Sequence, residues 1–143
     1  MKNNLIFIHN YKSTPLEFIK SINQFKFNFN VDIDLKDIIC KDGRDAKSLL
    51  VDYIEQLDVE SSTLYIIVKA SIPKLSDSLI IFDYINSYNA THSTNSCKFA
   101  IVSKLITSEN EAMYSNCFGV NVYASNHFNS LEFLKMLKSM FND

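Results

Sequence analysis

Short apolar runs alternate with longer segments of helical periodicity along this chain. The first run, residues 5–8, is bounded by polar residues, which is typical of a buried strand. Residues 64–68 form a continuous β-branched and aromatic run, as expected of a central parallel strand that is covered on both faces. Residues 98–102 and 120–123 are predicted as two further strands. The pattern therefore predicts four strands.

A further strand is predicted where apolar and polar residues alternate. In residues 28–35, every second residue is apolar, and these residues are Phe29, Val31, Ile33 and Leu35. A period of two with one polar face is typical of a strand exposed on one side. We expect this strand at an edge of the sheet, and the carboxylates of Asp32, Asp34 and Asp37 as its solvated border.

The clearest helix signal lies just after the first strand. Thr14-Pro15-Leu16-Glu17 combines an N-cap residue, a proline suited to the first helical position and a capping-box glutamate. A helix is predicted to begin there. The residues expected to face the core are Leu16, Ile19, Ile22 and either Phe25 or Phe27.

Helical periodicity also follows the other strands. Helices are predicted at residues 45–57, 73–88 and 129–141, with a short helix capped by residues 108–111 and a loop at residues 89–96. Five β/α units predict an open, mainly parallel, doubly wound sheet with helices on both faces, a three-layer sandwich. The expected strand order is 2-1-3-4-5, which places the topological switch point between His9 and Lys69.

Composition and charge narrow the possible functions. The 143 residues predict one α/β domain, 1–143, and a net charge of -2 without a basic stripe predicts no nucleic-acid partner. Apolar runs are too short for membrane insertion or a secretion signal, so we expect a cytoplasmic protein. Cys40, Cys97 and Cys117 are widely spaced and are expected to be reduced structural thiols.

The residues at the strand ends argue against a receiver domain of two-component signalling. Such a domain needs two acidic residues after the first strand, a phosphoacceptor aspartate after the third and a lysine after the fifth. Here these positions hold His9-Asn10, Lys69 and Ala124-Ser125. The sequence alone therefore favours a different family.

Other families with this architecture also lack their signatures. No glycine-rich turn follows the first strand, as a dinucleotide site requires, and residues 13–14 offer too few hydroxyl groups for a flavodoxin loop. A chain with two glycines has no G-x-S-x-G nucleophile turn. His92 and His127 lie in polar segments without metal-ligand spacing, so no metal or cofactor is expected.

Three segments occur in a suggestive order. His9 ends the first strand, residues 41–49 with Gly43 open the second helix, and residues 64–68 form the third strand. Over about residues 5–114, this order and spacing resemble the IIA domain of mannose-type sugar phosphotransferase systems. The chain departs from that family at Lys69, where the family has an aspartate, and at Asn10, where it has a glycine.

The resemblance implies a phosphocarrier. His9 would accept a phosphoryl group from the histidine phosphocarrier protein and pass it to a IIB partner in sugar uptake, with Lys69 and Ser71 as phosphate neighbours. The family also implies a homodimer, to which the broadly apolar third helix would contribute. The alternative is a IIA-like binding or regulatory module that has lost phosphotransfer, so enzyme activity is left open. In the plainest interpretation, His9 is a structural strand-end residue, and Ser71 belongs to the N-cap region of the third helix.

Overall fold

Strands and helices alternate along the chain in the computed structural model, which describes residues 2–57, 62–92, 97–103, 121–124, 128 and 130–141. The strands are β1 Lys2–His9, β2 Ile33–Ile39, β3 Ser62–Lys69, β4 Lys98–Ser103 and β5 Asn121–Ala124. The helices are α1 Leu16–Phe29, α2 Gly43–Gln56, α3 Leu75–Thr91 and α4 Leu131–Phe141. The short helix predicted near residue 108 and the thiol of Cys117 lie outside the described residues.

The five strands that the structure describes form one parallel sheet in the order β2-β1-β3-β4-β5. This confirms the predicted fold class and strand order. Ile8 of β1 lies opposite Val68 of β3, so His9 and Lys69 come next at the same carboxyl edge of the sheet. Ligand sites of open α/β sheets lie at this edge, beside the switch point between β1 and β3.

Side chains on the two faces of the sheet form separate apolar cores. Ile6 and Ile8 of β1 point toward α2 and α3, whereas Leu5 and Phe7 point toward α1 and α4. All four are fully buried, as expected of a parallel strand with helices on both sides. The apolar residues of α3 enter the first core and are Ile81, Phe82, Ile85 and Tyr88. The three-layer arrangement follows from this alternation.

Helix α1 differs from its predicted boundaries at both ends. It begins at Leu16 after Pro15, without a side-chain cap, and ends at Phe29, where Asn30 adopts a left-handed conformation with φ of 50°. The ring of Phe29 lies 4.8 Å from that of Phe25, one helical turn away. Because this contact and the Asn30 C-cap extend the helix, β2 begins at Ile33 rather than at residue 28.

The buried stripe of α1 also differs from the prediction. Phe18, Ile22 and Phe25 are buried, at the spacing of one helix face, and the inclusion of Ile22 and Phe25 is confirmed. Leu16 is 62% exposed and Phe27 is 87% exposed, so neither reaches the core. The prediction began the buried face of α1 at Leu16, but this residue lies in the first turn of the helix and is directed away from the sheet.

The first turns of α2 and α3 are joined by one carboxylate. Asp77 Oδ1 accepts a hydrogen bond from the Gly43 amide at 3.0 Å, and its Oδ2 accepts one from the Lys74 amide at 3.0 Å. The Asp42 side chain caps α2 by accepting from the Asp45 amide, so α2 begins at Gly43 rather than at residue 45. A Cβ atom at Gly43 would lie 2.3 Å from the Asp77 carbonyl oxygen.

Helix α3 runs through Thr91, three residues beyond its predicted end. The Asn89 side chain explains this extension, because its Oδ1 accepts from the Cys97 amide and its Nδ2 donates to the Cys97 carbonyl. The thiols of Cys40 and Cys97 are free and buried. None of the described helices is long and apolar enough to cross a membrane.

Candidate functional site

His9 is fully buried at the carboxyl end of β1, in contact with ring and backbone groups. Its ring lies 4.6 Å from that of Phe7 and 5.3 Å from that of Tyr11, measured between centroids. The Tyr11 backbone N–H donates a hydrogen bond to His9 Nδ1 at 3.2 Å. Since Nδ1 accepts, it carries a lone pair, and the ring proton of the neutral imidazole is on Nε2.

Asp37 of β2 faces the other ring nitrogen. Its Oδ1 lies 3.7 Å from His9 Nε2, beyond hydrogen-bond distance. Both atoms are buried, and neither has a hydrogen-bond partner among the residues that the structure describes. Its Oδ2 accepts a hydrogen bond from the Thr14 hydroxyl. Asp37 is therefore not simply a solvated edge residue, as the sequence predicts, but a partly buried carboxylate that bonds Thr14 and faces the His9 ring.

Lys69, the last residue of β3, contacts the segment that follows β1. Its Nζ donates to Asn10 Oδ1 at 2.6 Å and lies 4.8 Å from the centre of the Tyr11 ring, a cation–π contact. The structure thus brings His9 and Lys69 together, as the sequence predicts. We call this set the edge cluster, and it consists of His9, Asn10, Tyr11, Thr14, Asp37 and Lys69.

Ser71 lies next to the edge cluster in sequence and is exposed. The residue that caps α3 is Lys74, and Asp77 holds its amide. Ser71 is therefore not the helix cap. Its assignment as a phosphate neighbour stays a prediction, as does the functional role of His9 and Lys69.

Burial dominates the electrostatics of His9. Desolvation lowers the pKa of the imidazole below its ordinary value of 6.5, and the Lys69 ammonium lowers it further. Asp37 opposes both effects, chiefly through its negative charge. The balance favours the neutral ring, in agreement with the hydrogen bond that Nδ1 accepts.

The Cys40 thiol also borders the site, but it is poorly suited to nucleophilic chemistry. Burial, together with the carboxylates of Asp45, Asp42 and Asp77, raises its pKa to about 11. Its Sγ is 3.3 Å from the His9 carbonyl, to which it donates. A thiol that stays protonated near pH 7 is a weak nucleophile. Burial likewise raises the pKa of Tyr11.

The lowered pKa of His9 predicts that stability decreases in acid. In the unfolded chain, the ring takes up a proton near pH 6.5, before the folded protein does, so protons favour unfolding between that pH and the lower folded pKa. The contribution is fully present above about pH 7 and is lost as the pH falls, with a slope of at most about 1.4 kcal/mol per pH unit.

Urea unfolding from pH 7.5 to pH 5 would measure this slope, with His9→Gln as the variant that removes the titrating ring. We expect a shallower loss of stability in the variant. Equal slopes in the two proteins would show that His9 does not resist protonation in the folded state.

The cluster joins a neutral, hydrogen-bonded imidazole to one carboxylate and one ammonium group. Both ring nitrogens of His9 face protein groups, one toward Tyr11 and the other toward Asp37. In the part of the chain that the structure describes, no three His, Cys, Asp or Glu side chains lie close enough to hold a metal ion. The arrangement is suited to positioning the segment after β1.

Comparisons of sequence and structure identify similar folds only among solved structures. No family model matches the chain, and no curated protein matches it in sequence. The chemotaxis protein CheY4 of Vibrio cholerae superposes with a TM-score of 0.55 at 12% identity, over 99% of this chain and 100% of its own. The response regulator RPA3017 of R. palustris, from red light signalling, has a TM-score of 0.58 at 11% identity, over 99% and 92%. The similarity is one of fold.

These neighbours overturn the predicted resemblance to IIA domains. They are response regulators with a receiver fold, so the phosphocarrier function in sugar uptake, the phosphohistidine at His9 and the partnership with the histidine phosphocarrier protein and a IIB component were wrong. The homodimer was predicted from the same resemblance and from the apolar surface of α3, and it is not supported either. The buried apolar residues of α3 pack into the core. The motif spacing that suggested the resemblance reflects β/α unit lengths that several doubly wound families share.

The sequence argued against the receiver family on the residues at the strand ends, although the predicted fold and strand order agree with the structure. Those residues determine the chemistry of a site, whereas the apolar pattern determines the fold. The structure places His9 and Asn10 at the end of β1 and Lys69 at the end of β3. The receiver-like fold of this chain thus carries a different set of side chains at this edge.

Proposed function

We propose that this chain is a signalling module built on a receiver-like fold, in which the state of the module does not depend on an aspartyl phosphate at the carboxyl edge of the sheet. One observation supports the signalling role, and a second supports the absence of an aspartyl phosphate. The solved structures of similar fold are a chemotaxis protein and a response regulator. At the end of β3, this chain has Lys69 instead of the aspartate that a receiver would phosphorylate.

The contact between Lys69 and Asn10 carries the proposal. The ammonium is 2.6 Å from Asn10 Oδ1 and stacks on the Tyr11 ring, so the ends of β1 and β3 are joined by a cation. A phosphorylatable receiver has carboxylates at these two strand ends, and hard divalent cations bind such oxygen groups. A lysine ammonium at the same place repels a divalent cation and has no carboxylate oxygen to phosphorylate.

Incubation with acetyl phosphate and Mg²⁺, followed by intact-mass measurement, tests the proposal. We expect no phosphoryl adduct on the wild-type chain, while a phosphorylatable receiver domain in a parallel sample becomes labelled. The matched variant is Asn10→Asp/Lys69→Asp, which places two carboxylates where the 2.6 Å contact now lies. It is expected to bind Mg²⁺ and to gain label.

An aspartyl phosphate on the wild-type chain would contradict the proposal. Peptide mapping would then identify the modified residue. Asp37 is the carboxylate of the edge cluster, so the matching control is Asp37→Asn, which would remove a label located there.

A further inference from the structure

The hydrogen bond between Tyr11 and His9 can exist in only one protonation state of the ring. The Tyr11 N–H donates to Nδ1 at 3.2 Å, so Nδ1 must be unprotonated. A proton on Nδ1 would place two donors opposite each other. The proton on Nε2 stays in place in both states of the ring, because Nε2 faces the Asp37 carboxylate at 3.7 Å.

The segment that follows β1, residues 10–14, is fixed to the sheet by contacts within the edge cluster. Asn10 accepts from Lys69, the Tyr11 ring lies under the Lys69 ammonium, and Thr14 donates to Asp37. The Tyr11 amide adds the bond to His9. A change at the His9 ring therefore acts directly on the backbone of this segment and, through Asn10 and Tyr11, on the contacts of Lys69.

We propose that the edge cluster is a proton-operated latch, in which protonation of His9 Nδ1 releases Tyr11 and the segment 10–14 from the carboxyl edge of the sheet. A proton from solvent binds the Nδ1 lone pair, the hydrogen bond from the Tyr11 amide breaks, and the ring becomes a cation. For its role in signalling, the latch rests on the proposed function, because it supplies an input other than phosphorylation. The latch itself is a property of these side chains.

Charged and titratable groups from every side set the pH at which the latch would open. From β2, the Asp37 carboxylate attracts the imidazolium, and from β3, the Lys69 ammonium repels it. The Cys40 thiol, after β2, donates to the His9 carbonyl, and the Tyr11 phenol lies on the segment that is released. Since the thiol and the phenol stay neutral in this range, Asp37 and Lys69 control the opening.

Hydrogen exchange measured by NMR on the full chain tests the latch. Between pH 7.5 and pH 5, after correction for the intrinsic exchange rate, we expect the protection of the Tyr11 amide to decrease by about tenfold. The Cys40 amide is an internal control. It donates to the His9 carbonyl at 3.0 Å, a bond that does not involve the ring, so its protection should persist.

Three variants separate the latch from general acid sensitivity. His9→Gln has no titrating ring, so the Tyr11 amide should show no transition. Lys69→Met removes a charge that opposes protonation and should move the transition to higher pH, whereas Asp37→Asn should move it to lower pH. The opposite directions of these two shifts are the signature of the proposed mechanism, and they remain measurable if His9→Gln does not fold.

Three outcomes would overturn the latch. One is an unchanged Tyr11 amide across the titration of His9, and another is a transition that persists in His9→Gln. The third is simultaneous loss of protection at Tyr11 and Cys40, which would mean global unfolding. None of these results bears on labelling by acetyl phosphate at pH 7.5, so failure of the latch and failure of the proposed function are distinguishable.

Discussion

Replacing Phe18 with alanine is expected to destabilise the protein by about 3–5 kcal/mol. The Phe18 ring is fully buried and stacks on Phe7 with centroids 4.0 Å apart. It also meets the rings of Phe128 and Phe133 at 5.3 and 5.6 Å. Truncation would leave a cavity between α1, α4 and the sheet. Urea unfolding measures the loss.

The matched control is Phe27→Ala on the same helix. Phe27 is 87% exposed, so its removal should change stability by less than about 0.5 kcal/mol. The pair also tests the orientation of α1. If Phe27→Ala were the more damaging substitution, the helix would present the face of Phe27 to the sheet instead of the face of Phe18.

Gly43→Ala is expected to cost about 1–3 kcal/mol or more, because the added methyl group has no space. Its carbon would lie 2.3 Å from the carbonyl oxygen of Asp77 and 2.8 Å from the Asp77 Cα, both backbone atoms. Backbone atoms cannot move aside as a side chain would, so the first turns of α2 and α3 must separate. This separation would also lengthen the bond from the Gly43 amide to Asp77.

Ser48→Ala is the control for Gly43→Ala. Ser48 lies on the same helix, is exposed, and receives the same methyl side chain. Its effect should stay within about 0.5 kcal/mol. Comparable losses in the two variants, again from urea unfolding, would mean that α2 tolerates separation from α3 and that the close approach contributes little.

Much of the sheet could be predicted because its central strands are apolar without interruption. The run from Leu64 to Val68 is apolar or aromatic at every position. Such a run is typical of a parallel strand that is covered on both faces. The predicted start of β2 was too early, because Phe29 and Val31 continue the alternation of apolar and polar residues that is typical of a strand. The helical contact between Phe25 and Phe29 and the left-handed Asn30 decide the boundary, and neither is visible as periodicity.

The candidate site could be predicted only in part. His9 and Lys69 follow from the strand ends, since parallel strands bring these ends to one edge. Asp37 could not be predicted in the same way, because its position depends on the register of β2 against β1. That register places Asp37 opposite Phe7 and on the same side of the sheet as His9. A shift of one residue would have turned this carboxylate to the other face. Local sequence contains no signal for that register.

Asp77 gives the α2–α3 side of the molecule a shared mechanical anchor. Each of its carboxylate oxygens holds a backbone amide, one in the first turn of α2 and one at the start of α3. Asp77 belongs to α3, so its bond to the Lys74 amide caps that helix and its bond to the Gly43 amide crosses to α2. The same carboxylate therefore links the capping of α3 to its alignment with α2, and a displacement of α2 along its axis would loosen both.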